Sequence, residues 1–284
     1  MDDQTQAHRL QAAKDVALEA GRTALAYFRN PDGLEVVAKG RQDFVSEADH
    51  AVEALIRARL QQLFPEDGFL GEEGGAAIDG KDAGGIWVVD PIDGTTNFIN
   101  QVPVWCVSIA YVLQGRIEVG VIYDPNADEL FAARLGHGAF RGETPMATSA
   151  ADSLTQGTVG VGYSTRTSGA TAVDSIRRLL EAGGIYQRNG SGALMLAYVG
   201  AGRLLGYLEA HINAWDCLAG ILLVQEAGGW TNDFLANDGL LRGNPVIAAA
   251  PGVADAVRAV AGFDPQARTP ARRRSPDERT TPPE

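Results

Sequence analysis

Trp87-Val88-Val89-Asp90-Pro91-Ile92-Asp93-Gly94-Thr95-Thr96-Asn97-Phe98 is the stretch that decides how this chain is read. An apolar strand runs into Asp90, and Pro91 has no N–H to give to a ladder, so the spacing predicts that the strand ends there in a turn. Asp93 follows three residues on, and one tight turn can aim both carboxylates at a single point. Gly94 permits a positive φ or a close backbone approach. The amides of Gly94, Thr95 and Thr96 can then converge on an anion, provided they open a helical turn. Acids first and amides immediately after is the order needed by a site for hard cations and a phosphate together. The same residues are also good turn chemistry in any β-rich protein, so the segment alone leaves both readings open.

Acids elsewhere in the chain add weight. Leu70-Gly71-Glu72-Glu73-Gly74-Gly75 places two adjacent Glu after a strand-like run. Neighbours on a strand point to opposite faces, so one of the two can face a metal; a charged hairpin tip is the alternative. Ala214-Trp215-Asp216-Cys217 sets an acid at the mouth of the most apolar helix, either as its N-cap or as a ligand held by a rigid element. Asp43 and Asp49 flank the start of the second helix, where capping and solvation account for them on their own. Hard cations such as Mg²⁺ take oxygen ligands. The four His (His8, His50, His137 and His211) and the two Cys show no zinc spacing. Gly190-Ser191-Gly192 is not a nucleophile elbow.

Outward from these acids, apolar residues recur at three- and four-residue steps over 6–28, predicting a first helix, and Ser46 with Asp49 has the spacing of a capping box opening a second helix over 46–63. Strands are predicted at 86–89, 104–112, 117–123 and 129–133, and the stretch 68–123 reads as an antiparallel meander. Beyond it, strands at 158–162, 185–188, 204–208 and 246–249 alternate with helices at 172–181, 193–200, 215–227 and 253–261, which predicts layered α/β architecture. The expected organisation is one unit over 1–264 made of two packed halves, about 1–150 and 151–264. Residues 265–284 hold five Pro, five Arg against three acids, and no large apolar residue, and are expected to be disordered.

Composition excludes several classes. With 24 Lys and Arg against 36 Asp and Glu, the formal net charge is −12, which disfavours nucleic acid or an anionic membrane as a broad-surface partner. No apolar run approaches the length of a membrane span. Cys106 and Cys217 lie in apolar runs and no export signal opens the chain, so a reduced, cytoplasmic setting is expected.

Taken together, Gly71-Glu72-Glu73, the 87–98 segment, and Trp215-Asp216 followed by Ala219-Gly220 and Glu226-Ala227-Gly228-Gly229 resemble, in this order, the blocks of the inositol monophosphatase family of Mg²⁺-dependent, lithium-sensitive phosphatases. Asp43-Phe44-Val45-Ser46-Glu47-Ala48-Asp49 is similar to a fourth block, and the four spread over most of 6–263. The resemblance implies a mixed α/β fold, a five-layer α-β-α-β-α sandwich of the inositol monophosphatase/fructose-bisphosphatase type, in a homodimer. It implies two or three Mg²⁺, with Glu72, Asp90 and the carbonyl of Ile92 at one position and Asp90, Asp93 and Asp216 at a second. By the same resemblance Thr95 and Asp49 position the attacking water and Glu72 shares its proton. The amides of Gly94 and Thr95 cradle the phosphate, and Asp93, Ser191, Gly192, Glu209 and Asp216 meet the substrate. The implied reaction is hydrolysis of a small polyol or sugar phosphate, inositol monophosphate foremost, by metal-activated water. Histidinol phosphate, fructose 1,6-bisphosphate and 3′-phosphoadenosine nucleotides are the alternative substrates, and a non-catalytic, metal-stabilised sugar-phosphate-binding module is the alternative of another class. Ser46, Gly192 and Met195 depart from the family's usual residues, and the loop departures fall where substrate choice is made.

Overall fold

The computed structural model describes residues 3–31, 36–40, 43–74, 78 and 84–264, with the backbone alone for 36, 38–40 and 43–45. The Pro/Arg-rich tail at 265–284 and the side chain of Asp43 lie outside the described residues. In chain order the elements are α1 (Asp3–Arg29), β1 (Val36–Gly40), β2 (Asp43–Ser46), α2 (Glu47–Leu63), β3 (Gly68–Gly71), β4 (Gly85–Asp93) and α3 (Thr95–Ile99). There follow β5 (Cys106–Leu113), β6 (Arg116–Asp124), β7 (Glu129–Arg134), β8 (Ala139–Arg141), β9 (Thr144–Pro145), β10 (Thr158–Val161), α4 (Gly169–Glu181) and β11 (Ile185–Gln187). The chain closes with α5 (Gly192–Gly200), β12 (Gly206–Ile212), α6 (Ala214–Glu226), β13 (Trp230–Thr231), α7 (Gly239–Arg242), β14 (Asn244–Ala249) and α8 (Ala254–Ala261).

Two sheets carry the fold. The larger has the order β3-β4-β5-β6-β7-β8-β9 and the smaller β11-β10-β12-β14-β13. Helices α1 and α2 cover one face of the large sheet, α5 and α6 lie between the two sheets, and α4 and α8 cover the outer face of the small one. These are the five alternating layers expected. Each interlayer space has its own apolar cluster: one beneath α1 and α2, one around α5 and α6, and one beneath α4 and α8. The middle helix α6 is apolar all round, with Leu218, Ile221, Leu222 and Val224 buried, as a helix covered on every side must be. Among the described residues no helix is long and apolar enough to cross a membrane.

Two expectations need correction. The stretch 68–123 is not wholly an antiparallel meander, because β3 pairs parallel with β4; the long crossover between them leaves β3 entering the sheet in the same direction. Nor does the strand end at Asp90. It continues to Asp93 through a bulge, with Asp90 opposite Ser108 and Asp93 opposite Cys106. Pro91 and Ile92 together face the single residue Val107, so the missing N–H of Pro91 falls where the ladder is already broken. The bulge also sets function. Side chains three apart on a regular strand point to opposite faces, and one extra residue returns Asp93 to the side of Asp90.

Candidate active site

The site lies beyond the end of β3, at the bulge of β4, where the N-terminal ends of α2, α3, α5 and α6 meet. It opens as a cavity of about 200 Å³, whose charged lining residues are Glu72, Asp90, Asp93, Glu209, Asp216 and Arg188. One carboxylate oxygen from each of Glu72, Asp90 and Asp216 lies within 4.8 Å of the other two. Three remote segments thus bring three of the expected ligands to one point. Asp93 stands beside this group rather than within it. The amide of Ile92 donates to Asp90 Oδ1 at 2.9 Å, and the Ile92 carbonyl accepts from Thr95 Oγ1 at 3.1 Å.

Helix N-termini fix three of the acids, two of them through capping boxes. Ser46 caps α2, and its backbone N–H donates to Asp49 Oδ2 at 2.8 Å. Asn213 caps α6, and its N–H donates to Asp216 Oδ2 at 3.1 Å. These are reciprocal capping boxes, so Asp216 sits at the third helical position and not at the N-cap itself. Asp93 instead occupies the N-terminus of a remote helix: its Oδ2 accepts from Ala193 N at 2.7 Å and from the hydroxyl of Ser191, the N-cap of α5. Each carboxylate is held by one oxygen against the positive end of a helix; the second oxygen of Asp49 meets Thr95, whereas Asp93 and Asp216 line the cavity.

Thr95 is the first residue of α3, and its hydroxyl also reaches Asp49 Oδ1 at 3.2 Å. Gly94, the N-cap of α3, has a φ of 105° that turns the chain from strand into helix without a Cβ penalty. The first amides of α3 have no acceptor within the helix, as expected for residues meant to hold an anion. Glu73 turns away from the cavity, its backbone N–H on Glu53 Oε2 at 2.9 Å and its carboxylate 3.8 Å from His50.

Burial dominates the electrostatics. Asp49, Asp90, Asp93 and Glu209 are all less than a tenth exposed. Burial, then repulsion from Glu72, Asp93 and Asp216, raises Asp90 well above the usual carboxylate range. Burial and Asp216 push Asp93 up to about 7, against the lowering effect of the Ser191 hydroxyl and the α5 amides. Asp216 and Asp49 are raised chiefly by burial, and Glu209 is pushed up to about 8 by burial despite its bond from Tyr207. Arg188 at the cavity wall is the single cation among the lining residues. Buried, like-charged, oxygen-only donors are the set that a divalent cation satisfies, and thiolates and imidazoles are absent from the lining.

Four residues of this environment were not singled out from sequence. Tyr207 donates to Glu209, and Asn189 Oδ1 accepts from Ser191 N at 2.9 Å. Asn97 Nδ2 donates to the carbonyls of Val104 and Asn189, both at 2.7 Å, tying the α3 segment to the turn before α5. Glu53 carries the 72–73 turn. Glu53 carries a signal, since it lies four residues after Asp49 on the same face of a predicted helix, and Asn97 stands within the 87–98 block; Tyr207 and Asn189 carry none.

A model of the inositol monophosphatase family matches residues 5–261. The chain is 40% identical over 246 residues to an inositol-1-monophosphatase of Mesorhizobium japonicum, covering 84% of this chain and 92% of the relative. It is 38% identical over 253 residues to the Nus factor SuhB of Escherichia coli K12, covering 88% and 94% of the two chains. Among solved structures it is similar to the extragenic suppressor protein suhB from Bartonella henselae, with a TM-score of 0.84 at 36% identity, covering 89% of this chain and 98% of that one.

Proposed function

The chain belongs to the inositol monophosphatase family and is a metal-dependent phosphomonoesterase, and from that premise we propose that its substrate is the phosphate monoester of a small polyol, inositol monophosphate before others. The observation that carries this reading is the convergence of Glu72, Asp90 and Asp216 beside the opening turn of α3. Relatives named as inositol-1-monophosphatases support the choice of substrate.

The cation of this proposal is Mg²⁺, two or three per site. Glu72, Asp90 and the Ile92 carbonyl would hold one, and Asp90, Asp93 and Asp216 another. Such ions supply positive charge to the phosphate oxygens and lower the pKa of adjacent water toward ~7. The chain's own groups do the rest. Asp49 accepts the Thr95 hydroxyl, so the oxygen of Thr95 is left to accept a hydrogen bond from the attacking water and orient it, while the carboxylate of Glu72 takes the proton that the water gives up. The Gly94 and Thr95 amides receive phosphate oxygens at the N-terminus of α3. Glu209, Ser191 and Gly192 line the space that the alcohol portion fills. A homodimer belongs to the same proposal. The exposed apolar side chains Val173, Leu180, Ile185 and Tyr186 on neighbouring α4 and β11 support it.

Phosphate release from inositol 1-phosphate, histidinol phosphate, fructose 1,6-bisphosphate and a 3′-phosphoadenosine nucleotide, with Mg²⁺, with added Li⁺ and with EDTA, tests the substrate. Fastest release from inositol 1-phosphate, inhibited by Li⁺ and abolished by EDTA without unfolding, is expected. Preference for any of the other three overturns the assignment.

A further inference from the structure

One pair of residues and two glycines shape the part of the cavity around Glu209. Tyr207 and Glu209 are two apart on β12, so they share a face of the sheet. Both are almost fully buried and both line the cavity. Tyr207 Oη donates to Glu209 Oε2 at 2.5 Å. The pair fits only because of what stands opposite. A Cβ at Gly162, just beyond β10, would overlap both Glu209 Oε2 and Tyr207 Oη. A Cβ at Gly192, the first residue of α5, would lie 2.8 Å from Ile212 Cδ1 and 3.4 Å from Tyr207 Oη. The space that Gly192 yields is taken by Ile212 and the tyrosine hydroxyl.

We propose that Tyr207 is a positioning residue for substrate selection, fixing Oε2 of Glu209 so that Oε1 is presented to a hydroxyl neighbouring the phosphorylated carbon. Without the phenol the buried Glu209 carboxyl would lose a hydrogen bond and gain freedom about its last torsion, and a substrate hydroxyl would meet it in several orientations. Gly162 is the second part of the device, since any side chain there displaces the carboxylate that Tyr207 holds. The substrate class selected is a vicinal polyol phosphate, in preference to a phosphate on an apolar or aromatic alcohol. This inference rests on the phosphomonoesterase reading with a polyol substrate.

The test compares wild type, Tyr207→Phe, Glu209→Ala and the double variant with saturating Mg²⁺, on inositol 1-phosphate and on phenyl phosphate, which has no neighbouring hydroxyl. Tyr207→Phe keeps the ring and its packing. It is expected to lower kcat/KM for inositol 1-phosphate about tenfold, mainly through KM, and to shrink the preference over phenyl phosphate by the same factor. The double variant should be no slower than Glu209→Ala, because Tyr207 acts through Glu209. Gly162→Ala should shrink the preference in the same way. Retained preference in Tyr207→Phe, losses that multiply in the double variant, or an equal fall in kcat on both substrates overturns the inference while leaving the phosphatase reading intact. A wild type that releases phosphate from neither compound defeats that reading and this inference with it.

Discussion

The two walls of the cavity are built on different terms. On the acidic wall most of the aiming is done within short segments: the β4 bulge brings Asp90 and Asp93 to one side, and capping boxes at the starts of α2 and α6 aim Asp49 and Asp216, with Asp93 alone also held by the remote N-terminus of α5. On the opposite wall the Tyr207–Glu209 pair of β12 meets Ser191 and Arg188 only because β12, α5 and the β11–α5 turn pack together. A wall written into short segments can be kept while the other changes, which lets one hydrolytic chemistry serve many alcohols. Substitutions should therefore separate the two walls, turnover failing on the first and selectivity on the second.

The largest loss is expected on the acidic wall. Asp216→Asn or Asp93→Asn should lower Mg²⁺-dependent phosphate release by at least about 10³-fold, since each removes charge from a position that would hold a cation. Far-ultraviolet circular dichroism should be unchanged, because Asn can still serve as a cap acceptor. Near-normal turnover in both variants would count decisively against the assignment. Thr95→Ala should cost about 10²-fold in kcat with little change in KM, the signature of a group that orients the attacking water; a rise in KM alone would move Thr95 into substrate binding.

The cation itself should show in stability. Asp93 is raised to about 7 and Glu209 to about 8. Both are carboxyls that bind protons more tightly folded than unfolded. Without a divalent ion, the stability contributed by these two groups is therefore fully present below the usual carboxylate range and is lost as pH rises through 7 to 8. Mg²⁺ at a hundredfold excess over its Kd should raise Tm by about 5–10 °C, more at pH 8 than at pH 5.5, because protons compete for the same oxygens. An equal or larger shift at pH 5.5 in a calorimetric scan would contradict this. The smallest effect belongs to the far wall. Arg188 is exposed, so Arg188→Ala should raise KM only about two- to fivefold, an effect that added salt erases. A steady-state KM series across ionic strength measures it, and a large fall in kcat would place Arg188 in the chemistry.

The same contrast explains what the sequence could and could not reveal. The helices α1, α2 and α6 and the strands β4 to β7 follow from apolar periodicity, and Glu72, Asp90, Asp93, Thr95 and Asp216 stand in short, ordered blocks. The bulge is not legible, because Pro91 marks a break but only β5 determines that one residue faces two. The β1–β2 pair lacks a sustained apolar alternation, so nothing in the local sequence marks it. Asp93 meets Ser191 across 98 residues of sequence, and Tyr207 acquires its role only where Gly162 leaves room for Glu209. Contacts of that kind depend on how layers stack, which no local pattern encodes.

The most direct measurement is anomalous diffraction from crystals grown with Mn²⁺ in place of Mg²⁺. Density for an ion bounded by Glu72, Asp90 and Asp216, lost in Asp216→Asn crystals, is the expected result. A fully active protein whose crystals show no ion among those three carboxylates would contradict the account.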